Sequence, residues 1–112
     1  MESTRQSKLS RLLQKELADI FQRESRNLFN GSFITVTEVV ITKDLSIAKV
    51  YLSFLGVTEK EALLNTIKEH TNKIRGLLGN RIKNQVRAIP TLSFYVDGTL
   101  DYLDNINSLL KK

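Results

Sequence analysis

The apolar residues of this chain change their repeat several times along its length. That change limits the fold more than any other feature. Between residues 4 and 28 they recur at helical spacing. Leu9, Leu13, Leu17, Ile20, Phe21 and Leu28 share one side of a helical wheel, with Leu12 at its edge. Ser3 or Thr4 can cap this helix and Asn30-Gly31 ends it. From Phe33 to Thr42 the chain is rich in β-branched residues: Ile34, Thr35, Val36, Thr37, Val39, Val40 and Ile41. From Ile47 to Leu55 the period is two, with Ala48, Val50, Leu52 and Phe54 inward and Lys49, Tyr51 and Ser53 outward. Lys43-Asp44-Leu45-Ser46 between these runs reads as a turn, which predicts an antiparallel hairpin.

Helical spacing then returns. Thr58-Glu59-Lys60-Glu61 has the form of a capping box, and Leu63, Leu64, Ile67, Ile74, Leu77 and Leu78 form the stripe that follows. Gly76 and Gly79 weaken the end of this helix, so a break is expected near Gly79, with a further turn from Asn80 to about Val86. Pro90 stops helix and biases Ile89 to extended backbone. Thr91 to Asp97 is a third strand, with Leu92, Phe94 and Val96 on one face. Asp97-Gly98-Thr99 is a turn and cap before a short C-terminal helix marked by Leu100, Leu103, Ile106, Leu109 and Leu110. The order helix, strand, strand, helix, helix, strand makes one compact α+β domain over residues 1–112.

At 112 residues the chain is long enough to bury about 65% of its unfolded surface, a modest core. It has no cysteine, which excludes a disulfide scaffold, a thiolate metal site and a cysteine nucleophile. No apolar run approaches the roughly 18 residues of a membrane span, and no signal-peptide stretch opens the chain, so a cytoplasmic location is expected. The strongest bias is charge: 17 Lys plus Arg against 12 Asp plus Glu, a net +5 and a pI of about 9.6. Such an excess points to a polyanionic partner without saying which.

The excess is local. Arg5, Lys8, Arg11, Lys15, Arg23 and Arg26 gather on the polar side of the first helix, interrupted only by Asp19. From Lys73 to Arg87 five basic residues occur with no acidic one; Lys73, Arg75, Arg81, Lys83 and Arg87 do not project onto one helix face and converge only if the chain bends near Gly79. Cations in a stripe neutralise several phosphates together.

Catalytic and metal chemistry finds little support. With one His and no Cys there is no zinc set, and neither a nucleophile elbow nor a phosphate loop occurs. His70 reads as a boundary histidine, and Asp97, Asp101 and Asp104 as a solvated helix start. Gly76-Leu77-Leu78-Gly79 has the G-x-x-G form of a KH nucleic-acid clamp, but two leucines on an apolar stripe read more simply as core. That clamp is the alternative reading: a general single-stranded RNA-binding KH module. A second rival is a basic amphipathic helix lying on anionic lipid, which is disfavoured because the apolar stripe is needed against the sheet. Lys49 and outward Tyr51 loosely echo an RNA-stacking sheet, though ordinary strand surface explains them.

Three stretches resemble the ribosome-binding factor A family. These are Thr42-Lys43-Asp44-Leu45-Ser46-Ile47-Ala48-Lys49-Val50-Tyr51, Lys73-Ile74-Arg75 followed by Leu77-Leu78, and the run from Arg87 to Asp97 with its R-x-x-P-x-L-x-F-x-x-D pattern. Together with the basic helix they cover about residues 5–98 in the right order. The resemblance implies a type II KH-like fold, α-β-β-α-α-β. It implies a monomeric, non-enzymatic factor, without cofactor, metal or small-molecule substrate. Such a factor binds free 30S subunits and 16S rRNA. It assists late maturation, including 5′-end processing, and matters in the cold. The family's Ala-x-Gly kink between its last two helices corresponds here to His70-Thr71-Asn72, and Asn72 can still support a kink. Many members carry a long charged C-terminal tail; the sequence here ends soon after the short helix expected at 99–112, so contacts that depend on such a tail are not expected. On this reading Arg5, Lys8, Arg11 and Lys15 lie along rRNA backbone. Arg75, Arg81, Lys83 and Arg87 make a second contact, and Lys43 at the hairpin tip is a weaker candidate. Arg87 has a structural alternative, pairing with a carboxylate or capping carbonyls.

Overall fold

The structure, a computed structural model, describes residues 3–29 and 31–97. Helix α1 (Thr4–Leu28) leads into strands β1 (Phe33–Ile41) and β2 (Ile47–Leu55). Helices α2 (Lys60–Glu69) and α3 (Thr71–Ile82) follow, and then strand β3 (Thr91–Val96). The order is the expected α-β-β-α-α-β of a type II KH-like fold. The sheet runs β1-β2-β3, with β1 antiparallel and β3 parallel to the central β2. Parallel neighbours need a crossover, and α2 and α3 supply it. The C-terminal helix expected at 99–112 lies outside the described residues.

Among the described residues, helices cover only one face of the sheet. Leu13, Leu17, Ile20 and Phe21 of α1 are buried with Val50, Leu52 and Ala48, and Ile67, Ile74, Leu78 and Ile82 complete the core from α2 and α3. The stripe read from the sequence is this buried face, with two shifts: Phe29 is buried while Leu28 and Leu77 are only half-buried. The other sheet face leaves Phe33 and Leu55 exposed, at 64% and 73%, and stacks Tyr51 on Tyr95 at 5.4 Å.

Ser3 caps α1 in a full capping box. Its hydroxyl accepts from the Gln6 amide N–H, and Gln6 Oε1 accepts from the Ser3 N–H. Gln6 also donates from Nε2 to the Ile41 carbonyl at 2.8 Å, which fixes the start of α1 against the end of β1. In β1 the inward residues are Ile34 and Val36, then Val39 and Ile41, because a bulge at Thr37 shifts the register. Gln14 of α1 donates to the Val36 and Thr37 carbonyls there, and the Thr37 hydroxyl lies 2.6 Å from Asp97 Oδ2.

Two local expectations change. The Thr58–Glu61 box does not form; α2 starts one residue later with Glu59 as its cap, and no side chain caps it. The helix break falls at His70, in the His70-Thr71-Asn72 stretch that the family resemblance marked as the kink, and not at Gly79. His70 has φ −98° and ψ 14°, its Nδ1 lies 2.8 Å from the Thr66 carbonyl, and its ring meets Phe29 edge-on. α3 then runs through both glycines to Ile82. Burial of Leu78 and Ile82 on the same side as Ile74 holds that helix together against the glycines' weak propensity.

A β-carbon at Gly76 would meet nothing within 4 Å, and the residue is helical and exposed. Gly76→Ala is therefore expected to stabilise the protein by about 0.5–1 kcal/mol in urea unfolding. Leu78→Ala should cost about 2–5 kcal/mol in the same assay.

Candidate nucleic-acid interface

The first turns of α1 present Arg5, Lys8, Leu9 and Leu12 on one helical face, at spacings of three and four residues. Opposite them stand Asp44 and Leu45 of the hairpin turn and residues 85–88, the segment between α3 and β3. Between these three elements lies a cleft of about 610 Å3, with Leu9, Leu12, Leu45, Val86 and Ala88 as apolar lining and Arg5, Lys8 and Arg87 as its cations. The sequence placed Arg87 with the second basic group. The fold instead brings it to Arg5 and Lys8, because the parallel crossover returns the chain to the hairpin end before β3 begins. Thr91 N–H donates to the Ser46 carbonyl at 2.8 Å, which fixes that return.

The hairpin turn is rigidly built. Asp44 Oδ1 accepts from the hydroxyls of Ser46 and Thr42, at 2.7 and 2.8 Å, and from the Ser46 N–H. These bonds to the ionised carboxylate hold the Asp44 pKa down to about 2, the Ser46 hydroxyl contributing most. Leu45 takes φ 62°, a left-handed conformation that costs a leucine about 1–2 kcal/mol. Lys43 is exposed beside the cleft without lining it.

Arg11 and Lys15 continue the cationic line along the exposed side of α1. Asp19, the one acidic interruption, lies between two guanidinium groups: Arg81 NH1 at 2.6 Å and Arg23 Nε at 2.8 Å. Hydrogen bonds from Arg81 and then Arg23 lower its pKa below the ordinary value. Arg81 also reaches Glu16 at 3.2 Å, so it ties α3 to α1. Arg75 is similarly engaged. Its Nε and NH2 donate to the carbonyls of Pro90 and Ile89, at 3.1 and 2.6 Å. The carbonyl-capping role considered for Arg87 thus belongs to Arg75, and Arg87 stands exposed at the cleft. Lys83 is exposed just beyond α3. The five cations from Lys73 to Arg87 do not converge at a bend near Gly79, since α3 has none there.

The G-x-x-G clamp is not formed. A clamp needs its two central residues in a loop between helices, whereas Gly76 to Gly79 lie inside α3 with Leu78 fully buried. Among the described residues no group of three or more His, Asp or Glu is placed to hold a metal, and no helix is long and apolar enough to cross a membrane.

The sequence pattern of ribosome-binding factor A matches residues 5–110. The chain belongs to the ribosome-binding factor A family. A ribosome-binding factor A from Cytophaga hutchinsonii is 50% identical over 112 residues, covering all of this chain and 84% of its own. The crystal structure of ribosome-binding factor A from Thermus thermophilus superposes with a TM-score of 0.68 at 24% identity, over 81% of this chain and 94% of that one. A Thermus thermophilus ribosome-binding factor A model, fitted into a cryo-electron-microscopy map of a 30S complex, gives 0.63 at 23% identity, over 87% and 96%. The family's arginine-to-aspartate pattern has a clear structural role here. Pro90 exposes its carbonyl to Arg75, Leu92 and Phe94 enter the core, and Asp97 accepts from the bulge at Thr37.

The lowered pKa of Asp19 has a consequence for stability. A carboxyl whose folded pKa lies below its unfolded value stabilises the fold above pH 3.8, and that contribution is lost as pH falls through the folded value. Asp19→Asn should therefore lower the urea midpoint at pH 7, and the gap to the wild type should close progressively below pH 3.8. A gap independent of pH would mean that the Arg23–Asp19–Arg81 contacts are not electrostatic.

Proposed function

We propose that this protein is a non-enzymatic assembly factor for the small ribosomal subunit. It binds free 30S subunits through 16S rRNA and assists their late maturation, including processing of the 5′ end, with its greatest effect in the cold. It acts as a monomer in the cytoplasm and needs no cofactor. The observation that carries this reading is the gathering of Arg87, Arg5 and Lys8 at one cleft, with exposed Arg11 and Lys15 further along α1, on a member of a ribosome-binding family. The Thermus relative fitted into a 30S map supports the choice of subunit.

Each phosphate neutralised by these cations releases counterions, so affinity comes from the backbone without base readout and falls steeply with salt. Structured RNA is then held by shape and backbone contacts. Lys43 and Lys83 are further exposed cations. Arg75 and Arg81 contribute indirectly: their hydrogen bonds fix the segment that carries Arg87 and the packing of α3 on α1.

Sedimentation of cell extract at two salt concentrations tests this. The protein should migrate with free 30S subunits at low salt, not with whole ribosomes, and leave them at high salt. The triple reversal Lys8→Glu, Arg11→Glu and Lys15→Glu should abolish co-migration with an unchanged circular dichroism spectrum. Removing each cation singly should flatten the log-affinity versus log-salt slope by about one unit for each phosphate no longer neutralised. Migration with neither subunit sinks the assignment. An undiminished complex with the triple variant removes α1 from the interface.

A further inference from the structure

We propose that the cleft between α1, the hairpin turn and residues 85–88 is a pocket for a single unpaired nucleotide of the bound RNA. The base would enter the apolar interior and its flanking phosphates would lie on Arg5, Lys8 and Arg87. This deepens the rRNA-binding reading above and rests on it.

A track of phosphates needs only exposed cations, and Arg11 and Lys15 on the outside of α1 already suit that task. They require no cavity. Yet Arg5, Lys8 and Arg87 border a cleft of about 610 Å3, within the roughly 300–1,000 Å3 range of small-molecule sites. Besides those cations, Asp44 and Gln85, its lining is Leu9, Leu12, Leu45, Val86 and Ala88, and none of these five side chains can pair with a phosphate. An apolar interior whose rim carries three cations and the Asp44 carboxylate suits a flat, weakly polar ring attached to an anionic backbone. A base inside a helix cannot reach such an interior, so the occupant must be unpaired or flipped out.

The cleft also has one fixed acceptor. The bonds from Thr42 and Ser46 to the Asp44 carboxylate converge on Oδ1. Those bonds hold the group ionised down to a pH of about 2 and leave Oδ2 to accept an exocyclic amine or ring N–H of a base. The pocket walls come from three separate elements: a helix, a tight turn with Leu45 in the left-handed region, and residues 85–88, which lead into the Ile89 and Pro90 carbonyls that Arg75 holds. The site therefore exists before RNA arrives and needs little ordering on binding.

Fluorescence anisotropy with short RNA duplexes tests the pocket. The full chain should bind a duplex carrying one unpaired adenosine or guanosine about tenfold more tightly than the same duplex without it, a gain within the range of one buried base. Leu45→Asn keeps a residue that tolerates left-handed backbone and removes an apolar wall. Ala88→Leu narrows the cleft from an exposed position with a side chain that offers no ring to stack on. Both variants should lose the tenfold preference, keep the affinity and salt slope for the plain duplex, and melt within a few degrees of the wild type. Equal affinity of the wild type for both duplexes overturns the pocket while leaving the backbone reading intact. No salt-dependent binding to either duplex or to 30S subunits overturns both. If the two substitutions lower the melting temperature of the full chain and spare the preference, Leu45 and Ala88 support the fold and do not wall a base site, and the proposal fails.

Discussion

A three-stranded sheet with one covered face depends on the helix that covers it. Here that helix is α1, and its fully buried Leu13, Leu17, Ile20 and Phe21 are each worth about 1.5–3 kcal/mol of apolar burial. No other element among the described residues can replace them, because α2 and α3 are committed to the crossover between β2 and β3. Burying one side of α1 also forces its opposite side outward. The long basic face is thus a direct result of core formation: the same rotation that seats Leu13 and Leu17 displays Arg11 and Lys15.

The chain secures this arrangement with polar bonds to backbone that ordinary pairing leaves open. Gln6 holds the last carbonyl of β1, Gln14 takes the carbonyls at the bulge, and Arg75 takes those of Ile89 and Pro90. Buried or half-buried carbonyls without partners are costly, so each of these side chains stabilises a specific irregularity. No buried side-chain nitrogen or oxygen among the described residues lacks a partner. The irregularities have positional effects. The bulge turns Val39 and Ile41 inward, and the Arg75 contacts hold the segment that presents Arg87 at the cleft.

Charge is divided accordingly. Arg81 and Arg23 compensate Glu16 and Asp19 along α1, which removes the acidic interruption from the cationic face. Arg75 is occupied by carbonyls. Arg5, Lys8, Arg11, Lys15 and Arg87 are exposed, and they are the cations the proposed rRNA contact would use. Counting basic residues along the chain cannot separate these two groups, since an arginine that braces the fold and one that meets a phosphate look alike in sequence.

Much of the fold was legible from the residues alone. Period, turn chemistry and the single proline placed all three strands and α1 within a residue or so, because side-chain spacing is local physics. The family resemblance came from the hairpin and the run from Arg87 to Asp97. The break at His70 was legible through the family resemblance, which put the kink at His70-Thr71-Asn72, and not through propensity, which favoured Gly79; tertiary burial of Leu78 and Ile82 overrode it. The Thr58–Glu61 box failed because α2 begins one residue later than its pattern requires. The sequence by itself determined the element types, the buried stripes and the excess of positive charge. Only the tertiary structure decided which charges meet. Arg87 joins Arg5 and Lys8, about eighty residues away, because a parallel strand pair must send its crossover back to the end where β2 starts. That return path is a property of the sheet, and no local stretch of the chain encodes it.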